Sequence, residues 1–513
     1  MASTSLTFDR FGARSIEVLA IVVLGGVAAA IAIVSAVYGP ALALGAAVAI
    51  PLAVLVCIKP RIGVLLFIFM LGFVEEFPGG LSDQDAARSA RTPLYAATFG
   101  LPAIYLPDVL LYGLLALFVL RKLLKRESFG MRMDKNGLAL LALAISMLIS
   151  IGLGLASENP FGPPVLDLSL LGKIQLPEEA ARYIAVLQIK IYAMMFGAYI
   201  LGLIYFRSDE DVRDMVVALA IGAVLTIALA GFRVARDPSL VRAMVAIIYD
   251  TASVSFMAIA IFYSFSRWAC GHYTIPKSAV QAVFCALLAI GILISFRRTL
   301  WGAIAGAFVM VPFMLPARSR PRFLGLALFG AIAAGATVLV LPAGQALLQS
   351  VVARAGETTL NDASTLYRFS LLVWVVERFT ELPLFGWAVM PLWNEKIQIR
   401  FFSSNMENVH SLYFWILVRF GVMGIFAAAV ASFLVLLRLV EVVRAARSDH
   451  DRIVVAMVVV FLLLFLFNGL FNPVYANVRL MVPLGFALAL VTRLPEIIAA
   501  REAQAASRSR SAA

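Results

Sequence analysis

Long apolar runs separated by short polar connections make up most of the chain. About fourteen of these runs approach the roughly 20 residues that an α-helix needs to cross the hydrocarbon core of a bilayer. The predicted helices begin near Ile16, Pro40, Arg61, Pro107, Gly137, Tyr183, Val212, Ala252, Ser278, Thr299, Phe323, Leu412, Ile453 and Val478. The third run is short and ends at Glu75 and Glu76, so it either spans the bilayer or re-enters it. The pattern predicts an all-α polytopic membrane protein.

One polar interval is much longer than the others and is here named the outer stretch, residues 342–410. Around Arg368 it contains a predicted amphipathic helix, with Leu371 and Val375 among the apolar positions. We therefore expect one transmembrane domain over residues 1–499, with the outer stretch as its large water-facing loop. Residues 500–513 are small, polar and basic, which predicts a disordered cytoplasmic tail.

Composition supports the membrane assignment and excludes a nucleic-acid partner. The chain is 62% apolar and 14% charged, with a mean hydropathy of +0.95. Soluble domains carry about 25% charged residues. The net charge of +12 would suggest nucleic acid in a soluble protein, but here the lysines and arginines lie in short connections between apolar runs.

The charges of these connections predict the orientation. With the N-terminus inside and about fourteen spans, about 25 of the 42 lysines and arginines fall on the inner side, as the positive-inside rule requires. Both termini are then cytoplasmic, and the outer stretch lies on the non-cytoplasmic face. The three cysteines, Cys57, Cys270 and Cys285, have no metal or redox spacing, so no metal site is predicted.

Two adjacent arginines occupy a predicted outer turn where orientation gives no reason for cations. Arg297 and Arg298 lie in the sequence ISFRRTLW between two apolar runs. They either contact water and lipid headgroups or form an anion site, since a guanidinium binds phosphate oxygens bidentately. Arg368 has the same two interpretations. Arg233 and Arg236 form a further outer cluster, for which pairing with neighbouring acids is an alternative.

His410 is the one histidine that the predicted orientation places outside, and it immediately precedes an apolar run. It is either a helix-start residue or a general base. Nearby arginines would disfavour the charged imidazole, which leaves it neutral and able to accept a proton. Lys190 and Arg419 lie inside predicted helices, where a charge should face the protein interior or a water-filled cavity.

These residues occur in an order that resembles the O-antigen ligase and O-antigen polymerase superfamily of bacterial envelope glycosyltransferases. The resemblance extends from Ser295 to Gly424. It is carried by Ser295, Arg297, Arg298, Thr299, Arg368, Trp374, Pro383, Gly386, His410, Tyr413, Gly421 and Gly424. The family usually has an asparagine after the histidine, where this chain has Ser411.

The resemblance implies an inverting, metal-independent glycosyltransferase of the bacterial inner membrane, acting at the periplasmic face without a cofactor. The donor would be a glycan on undecaprenyl (polyprenyl) pyrophosphate. The acceptor would be a sugar hydroxyl of lipid A core or another glycan, in O-antigen or exopolysaccharide ligation or polymerisation. Arg297, Arg298 and Arg368 would bind the pyrophosphate, and His410 would be the catalytic base.

Four further residues are weaker candidates for the same site: Arg233, Arg236, Tyr413 and Arg419. The alternative function is a transporter or flippase for a lipid-linked glycan or another anion. The number of helices and the charges of Lys190 and Arg419 within the membrane favour transport. The lack of the two related halves found in many secondary transporters speaks against it.

Overall fold

The computed structural model is helical throughout the part that it describes, which confirms the all-α prediction, and that part contains no β-strand. The described residues are 55–73, 106–124, 137–145, 178–236, 251–273, 275–294, 298–340, 345, 372–373, 375–377, 379–380, 383–386, 411–472, 474 and 477–512.

Eleven long helices are described. They are α1 (Pro60–Phe73), α2 (Leu106–Leu124), α3 (Glu178–Tyr205), α4 (Asp209–Arg236), α5 (Thr251–Ala269), α6 (Ile275–Ile294), α7 (Arg298–Met314), α8 (Arg320–Val340), α9 (Leu412–Ala445), α10 (Asp449–Phe471) and α11 (Val478–Ala512). Residues 137–145 form a shorter helix, and Ala317–Ser319 form a 3₁₀ turn before α8.

From Arg61 onward, each predicted helix has an observed helix that begins within five residues of the predicted start. The two runs near Ile16 and Pro40 lie outside the described residues, so the count of fourteen spans stays a prediction. In the described part, three helical segments are long and apolar enough to cross a bilayer: α9, α10 and Arg479–Ser507 of α11. Several shorter helices, α1 and α7 among them, are also apolar.

The chain divides into two compact units, Met1–Leu66 and Phe67–Ala513. In the second unit, glycines allow close helix packing, as is common between membrane helices. A Cβ atom added at Gly485 of α11 would lie 2.2 Å from the carbonyl oxygen of Met195 in α3. A Cβ atom at Gly222 of α4 would lie 2.6 Å from the carbonyl oxygen of Phe69 in α1. Only glycine allows the helix backbones to come this close at these two positions.

The side-chain contacts between helix ends fall into two groups, one at each end of the helices. At what we name the upper end, the side chain of Arg479 donates to Leu71 O, Asn472 donates to Thr299 and Tyr413 donates to Leu466 O. At the lower end, three contacts join Arg318 to Asp449, Arg501 to Asp451 and Arg493 to Phe206 O. Each contact joins helix ends that the loop charges assign to the same side of the membrane. Which side each end faces stays a prediction.

The last helix differs from the sequence-based expectation. Residues 500–513 are predicted to be a disordered tail, but α11 continues to Ala512. The sequence REAQAAS is rich in alanine, glutamate and glutamine, which have high helix propensity, so nothing in it terminates the helix. Arg501 also anchors this part of α11, because its guanidinium contacts Asp451 at 2.6 Å.

Candidate functional site

Helix α9 turns sharply at Gly421, which has the non-helical backbone angles φ 61° and ψ −159°. A straight helix would place Tyr413 about 48 Å from Ala445, whereas Leu466 lies only about 26 Å along α10 from Asp449. The Tyr413 hydroxyl nevertheless lies 3.3 Å from the carbonyl oxygen of Leu466. Residues 412–420, here named the first segment, must therefore run across the upper end of the helices. Residues 422–445 form the second segment and match α10 in length.

A turn at residues 383–386, within the outer stretch, docks against the corner of α9. The backbone N–H groups of Val422 and Met423 donate to the carbonyl oxygens of Pro383 and Leu384, at 2.8 and 3.2 Å. The first N–H groups of a helix lack partners within the helix. The turn therefore caps the second segment and fixes one point of the outer stretch at the upper end.

This contact requires glycine on both sides. Gly386 and Gly421 have φ angles of +66° and +61°, a region that other residues rarely adopt. A Cβ atom at Gly386 would lie 2.5 Å from the carbonyl carbon of Arg419, and a Cβ atom at Gly421 would lie 2.5 Å from the carbonyl oxygen of Leu384. The two backbones meet at a distance that leaves no room for a side chain.

The first segment carries two of the predicted site residues, Tyr413 and Arg419. Arg419 is completely buried, while Tyr413 is 36% exposed. Trp415 is also buried, and its ring stacks on Tyr192 of α3 with 5.6 Å between the ring centroids. The first segment thus contacts the middle of α3 and the upper part of α10. Because Ser411 alone separates residue 410 from this segment, the chain at His410 leads into an element that is anchored to α3 and α10.

The N-terminus of the first segment is capped by Ser411, which stands where the resemblance leads us to expect an asparagine. Its hydroxyl accepts a hydrogen bond from the backbone N–H of Phe414, and the residue is only 4% exposed. Serine and asparagine are both good N-cap residues. The substitution therefore preserves the start of the helix that follows His410.

The predicted arginine turn lies at the start of α7. Arg298 is the first residue of this helix, and Thr299 follows it. The side-chain amide of Asn472, at the end of α10, donates to the Thr299 hydroxyl at 3.3 Å and to Asn468 Oδ1 at 2.6 Å. Asn468 is completely buried. The start of α7 and the start of α9 thus both contact the last turns of α10.

A buried arginine that the sequence analysis did not single out also lies at the upper end. Arg479 is 0% exposed and donates to the carbonyl oxygens of Leu71 and Gly72 and to the hydroxyl of Ser253. Those carbonyls belong to the last turn of α1, where the helix dipole favours a cation. Arg479 therefore has a structural role, since it joins α1, α5 and α11.

Lys190 also has a structural explanation. Its ammonium group lies 2.7 Å from the carboxylate of Asp108, and both side chains are largely buried. The expectation that Lys190 faces the protein interior is met by this ion pair between α2 and α3. Breaking such a pair by removing one partner is costly, because the other charge stays buried.

The structure describes some of the predicted site residues only in part. Arg297, Arg368 and His410 lie outside the described residues. Arg298, Arg233 and Arg236 are placed on the backbone, the first at the start of α7 and the other two in the last turn of α4, and their side chains are not described. Among the described residues, no three His, Cys, Asp or Glu side chains cluster as a metal site would require.

Asn468 and Asn472 are uncharged polar residues at the upper end, and the charge pattern of the sequence does not single them out. The signal was present in the sequence, where FNGLFN ends an otherwise apolar run of spanning length. Two amides at the end of such a run are costly to bury without partners. They indicate a polar contact with a neighbouring helix, which the structure identifies as α7.

The region that contains these elements is similar to a family of known proteins. Residues 283–429 match the O-antigen ligase family. The matched region begins in α6 and includes the start of α7, the outer stretch and the α9 corner. This match confirms the family resemblance predicted from Ser295 to Gly424. A comparison with curated proteins found no match for the chain.

Proposed function

We propose that this protein is a membrane glycosyltransferase of the O-antigen ligase type, which transfers a glycan from a polyprenyl pyrophosphate to a sugar hydroxyl. The observation that carries the proposal is the family match over residues 283–429. It is supported by the contacts that two separated parts of this region, the start of α7 and the start of α9, both make with the last turns of α10.

The donor requires fixed cations, since its leaving group is a pyrophosphate. As the bond between the anomeric carbon and the pyrophosphate oxygen breaks, negative charge grows on that oxygen. Arg298, with Arg297 and Arg368, stabilises this charge through bidentate hydrogen bonds. Arginines at these positions are charged at any physiological pH, so the binding needs no metal ion.

The acceptor requires a base, because a sugar hydroxyl is a weak nucleophile. His410 takes the hydroxyl proton while the acceptor oxygen forms its bond to the anomeric carbon. The departing polyprenyl pyrophosphate carries the electron pair of the broken bond. Direct attack from the opposite face inverts the anomeric configuration. Ser411 supports this role indirectly, because it follows His410 and caps the helix that begins at Leu412.

The site faces the periplasm in this proposal, and the polymer is an O-antigen or an exopolysaccharide. The acceptor is lipid A core or another glycan. The transporter alternative loses part of its basis, because Lys190 forms an ion pair with Asp108 that needs no translocated anion.

Reconstitution in liposomes separates transfer from transport. Purified protein would be given a fluorescent lipid-linked glycan and a water-soluble glycan acceptor. The proposal predicts a new glycosidic bond and an equimolar release of polyprenyl pyrophosphate. Movement of the labelled lipid between leaflets without bond formation would instead support a flippase. In a deletion strain, single repeats without polymer would indicate a polymerase, and polymer left on the carrier lipid would indicate a ligase.

A further inference from the structure

Two amide side chains connect the end of α10 to the start of α7. Asn472 Nδ2 donates both of its hydrogens, one to Asn468 Oδ1 at 2.6 Å and one to Thr299 Oγ1 at 3.3 Å. Asn468 is completely buried one turn earlier in α10. Because both donors of one planar amide are used, the orientation of the Asn472 side chain is fixed.

The Thr299 contact acts on the part of α7 that is least stabilised by its own backbone. The first N–H groups of a helix have no partners within it, so the first turn frays unless other groups hold it. Asn472 and Thr299 are 173 residues apart in sequence, and their hydrogen bond joins the first turn of α7 to α10. A displacement of Thr299 would displace Arg298, the residue before it.

We propose that Asn472, braced by Asn468, is a positioning residue that holds the first turn of α7 so that Arg298 meets the donor pyrophosphate. This inference rests on the proposed function. A bidentate guanidinium must approach phosphate at a defined angle, so a small shift of its backbone weakens binding and misplaces the leaving group.

The chemistry of the amide suits this position. An amide can donate to the Thr299 hydroxyl without adding a negative charge near Arg298. An aspartate of the same shape would compete with pyrophosphate for the arginines and would lose both hydrogen bonds that Asn472 donates. The neutral side chain therefore fits a site that must stay positive for its substrate.

The first measurement is the affinity of the protein in nanodiscs for undecaprenyl pyrophosphate without a glycan, together with the KM and kcat of transfer. Losing one such hydrogen bond should weaken binding about tenfold. We expect this loss in Asn472→Ala and in Thr299→Val, with a larger rise in KM than fall in kcat. Thr299→Ser keeps the hydroxyl and should retain affinity within about twofold.

A double-mutant cycle then tests the coupling. If Asn472 acts through Thr299, the variant that combines Asn472→Ala with Thr299→Val should bind no more weakly than the worse single variant. Asn472→Asp should bind more weakly than Asn472→Ala, because it adds a competing charge. Additive losses, or an aspartate variant that binds like wild type, would overturn the inference.

Thr226→Val is the matched control. Thr226 also uses a hydroxyl at the upper end, but it contacts Phe73 O in α1 rather than α7. Loss of the Thr226 hydroxyl should lower the Tm and leave the affinity for the donor unchanged. If Asn472→Ala and Thr299→Val lower the Tm in the same way without weakening binding, their role is structural and the inference is wrong.

The failure of the inference can be separated from the failure of the proposed function. A wild-type protein that binds undecaprenyl pyrophosphate but forms no glycosidic bond overturns the transferase assignment, while the binding series still decides the role of Asn472. A wild-type protein that binds no undecaprenyl pyrophosphate overturns both.

Discussion

Replacing Gly421 by alanine should release the outer stretch from the α9 corner. A non-glycine residue in this backbone conformation costs about 1–3 kcal/mol. The new Cβ atom would also lie 2.5 Å from the Leu384 carbonyl oxygen and 2.6 Å from that of Pro383, so the turn at residues 383–386 must move. That movement breaks the hydrogen bonds from Val422 and Met423, each worth about 0.5–1.5 kcal/mol.

The backbone strain and the two lost hydrogen bonds together cost at least about 2 kcal/mol. This cost lowers the ratio of docked to released turn about 30-fold. Since the first segment and the outer stretch both lead to the proposed site, we expect transfer activity to fall by about tenfold or more. Gly386→Ala should behave in the same way. The double variant should be little worse than either single variant, because each of these changes breaks the same contact between the turn and the α9 corner.

Activity in liposomes and chemical crosslinking would measure this effect. In a variant without native cysteines, Leu384→Cys and Met423→Cys should be joined by a short bismaleimide, and adding Gly421→Ala should prevent the reaction. Gly325→Ala is the first control, since nothing lies within 4 Å of its added Cβ atom. Gly271→Ala is the second, because Gly271 has a φ of +79° but an open surrounding at the lower end. Full activity and crosslinking in Gly421→Ala would refute the reasoning.

Three further predictions address the remaining elements. Arg368→Lys should lower kcat/KM for the donor about tenfold or more with unchanged folding, since a lysine cannot bind phosphate bidentately, and wild-type kinetics would contradict its role. Lys190→Met should destabilise the protein by about 3–5 kcal/mol, because it removes the ammonium partner of a buried carboxylate, whereas combining it with Asp108→Leu should restore the Tm; an unchanged Tm in the single variant would contradict this. Cys270, at the lower end, should react with an impermeant maleimide only from the cytoplasmic side. Because burial raises the pKa of the Cys270 thiol and the thiolate is the reactive form, the reaction should accelerate from pH 7 to 9. Labelling of intact cells would contradict the orientation.

The helix starts could be predicted because hydropathy and chain length depend only on local sequence. The break at Gly421 could not, since the run from Leu412 stays apolar on both sides of it apart from Arg419 and contains no proline. Its length was a usable signal: 34 residues exceed the roughly 20 that span a bilayer. The partner of Gly421 is a turn more than thirty residues away, and nothing local to either glycine encodes that contact.

The site residues themselves stay a prediction, and the contacts that support their helices could not be predicted. Loop charges single out Arg298 and Arg419, because unexplained cations are conspicuous in an apolar chain. They do not single out Asn472, which carries no charge and acts through Thr299, or Arg479, whose carbonyl partners in α1 are more than 400 residues away. Contacts of this kind depend on which helices are neighbours, and a single sequence does not specify that.

Formation of a glycosidic bond by purified protein tests the central claim most directly. Wild-type protein and His410→Ala would be compared in equal amounts, with a synthetic glycan on undecaprenyl pyrophosphate and a defined sugar acceptor. The account predicts that wild-type protein forms product of inverted anomeric configuration, and that His410→Ala, folded and able to bind donor, forms essentially none. Equal product from both proteins would contradict the base assignment, and no product from wild-type protein would contradict the transferase itself.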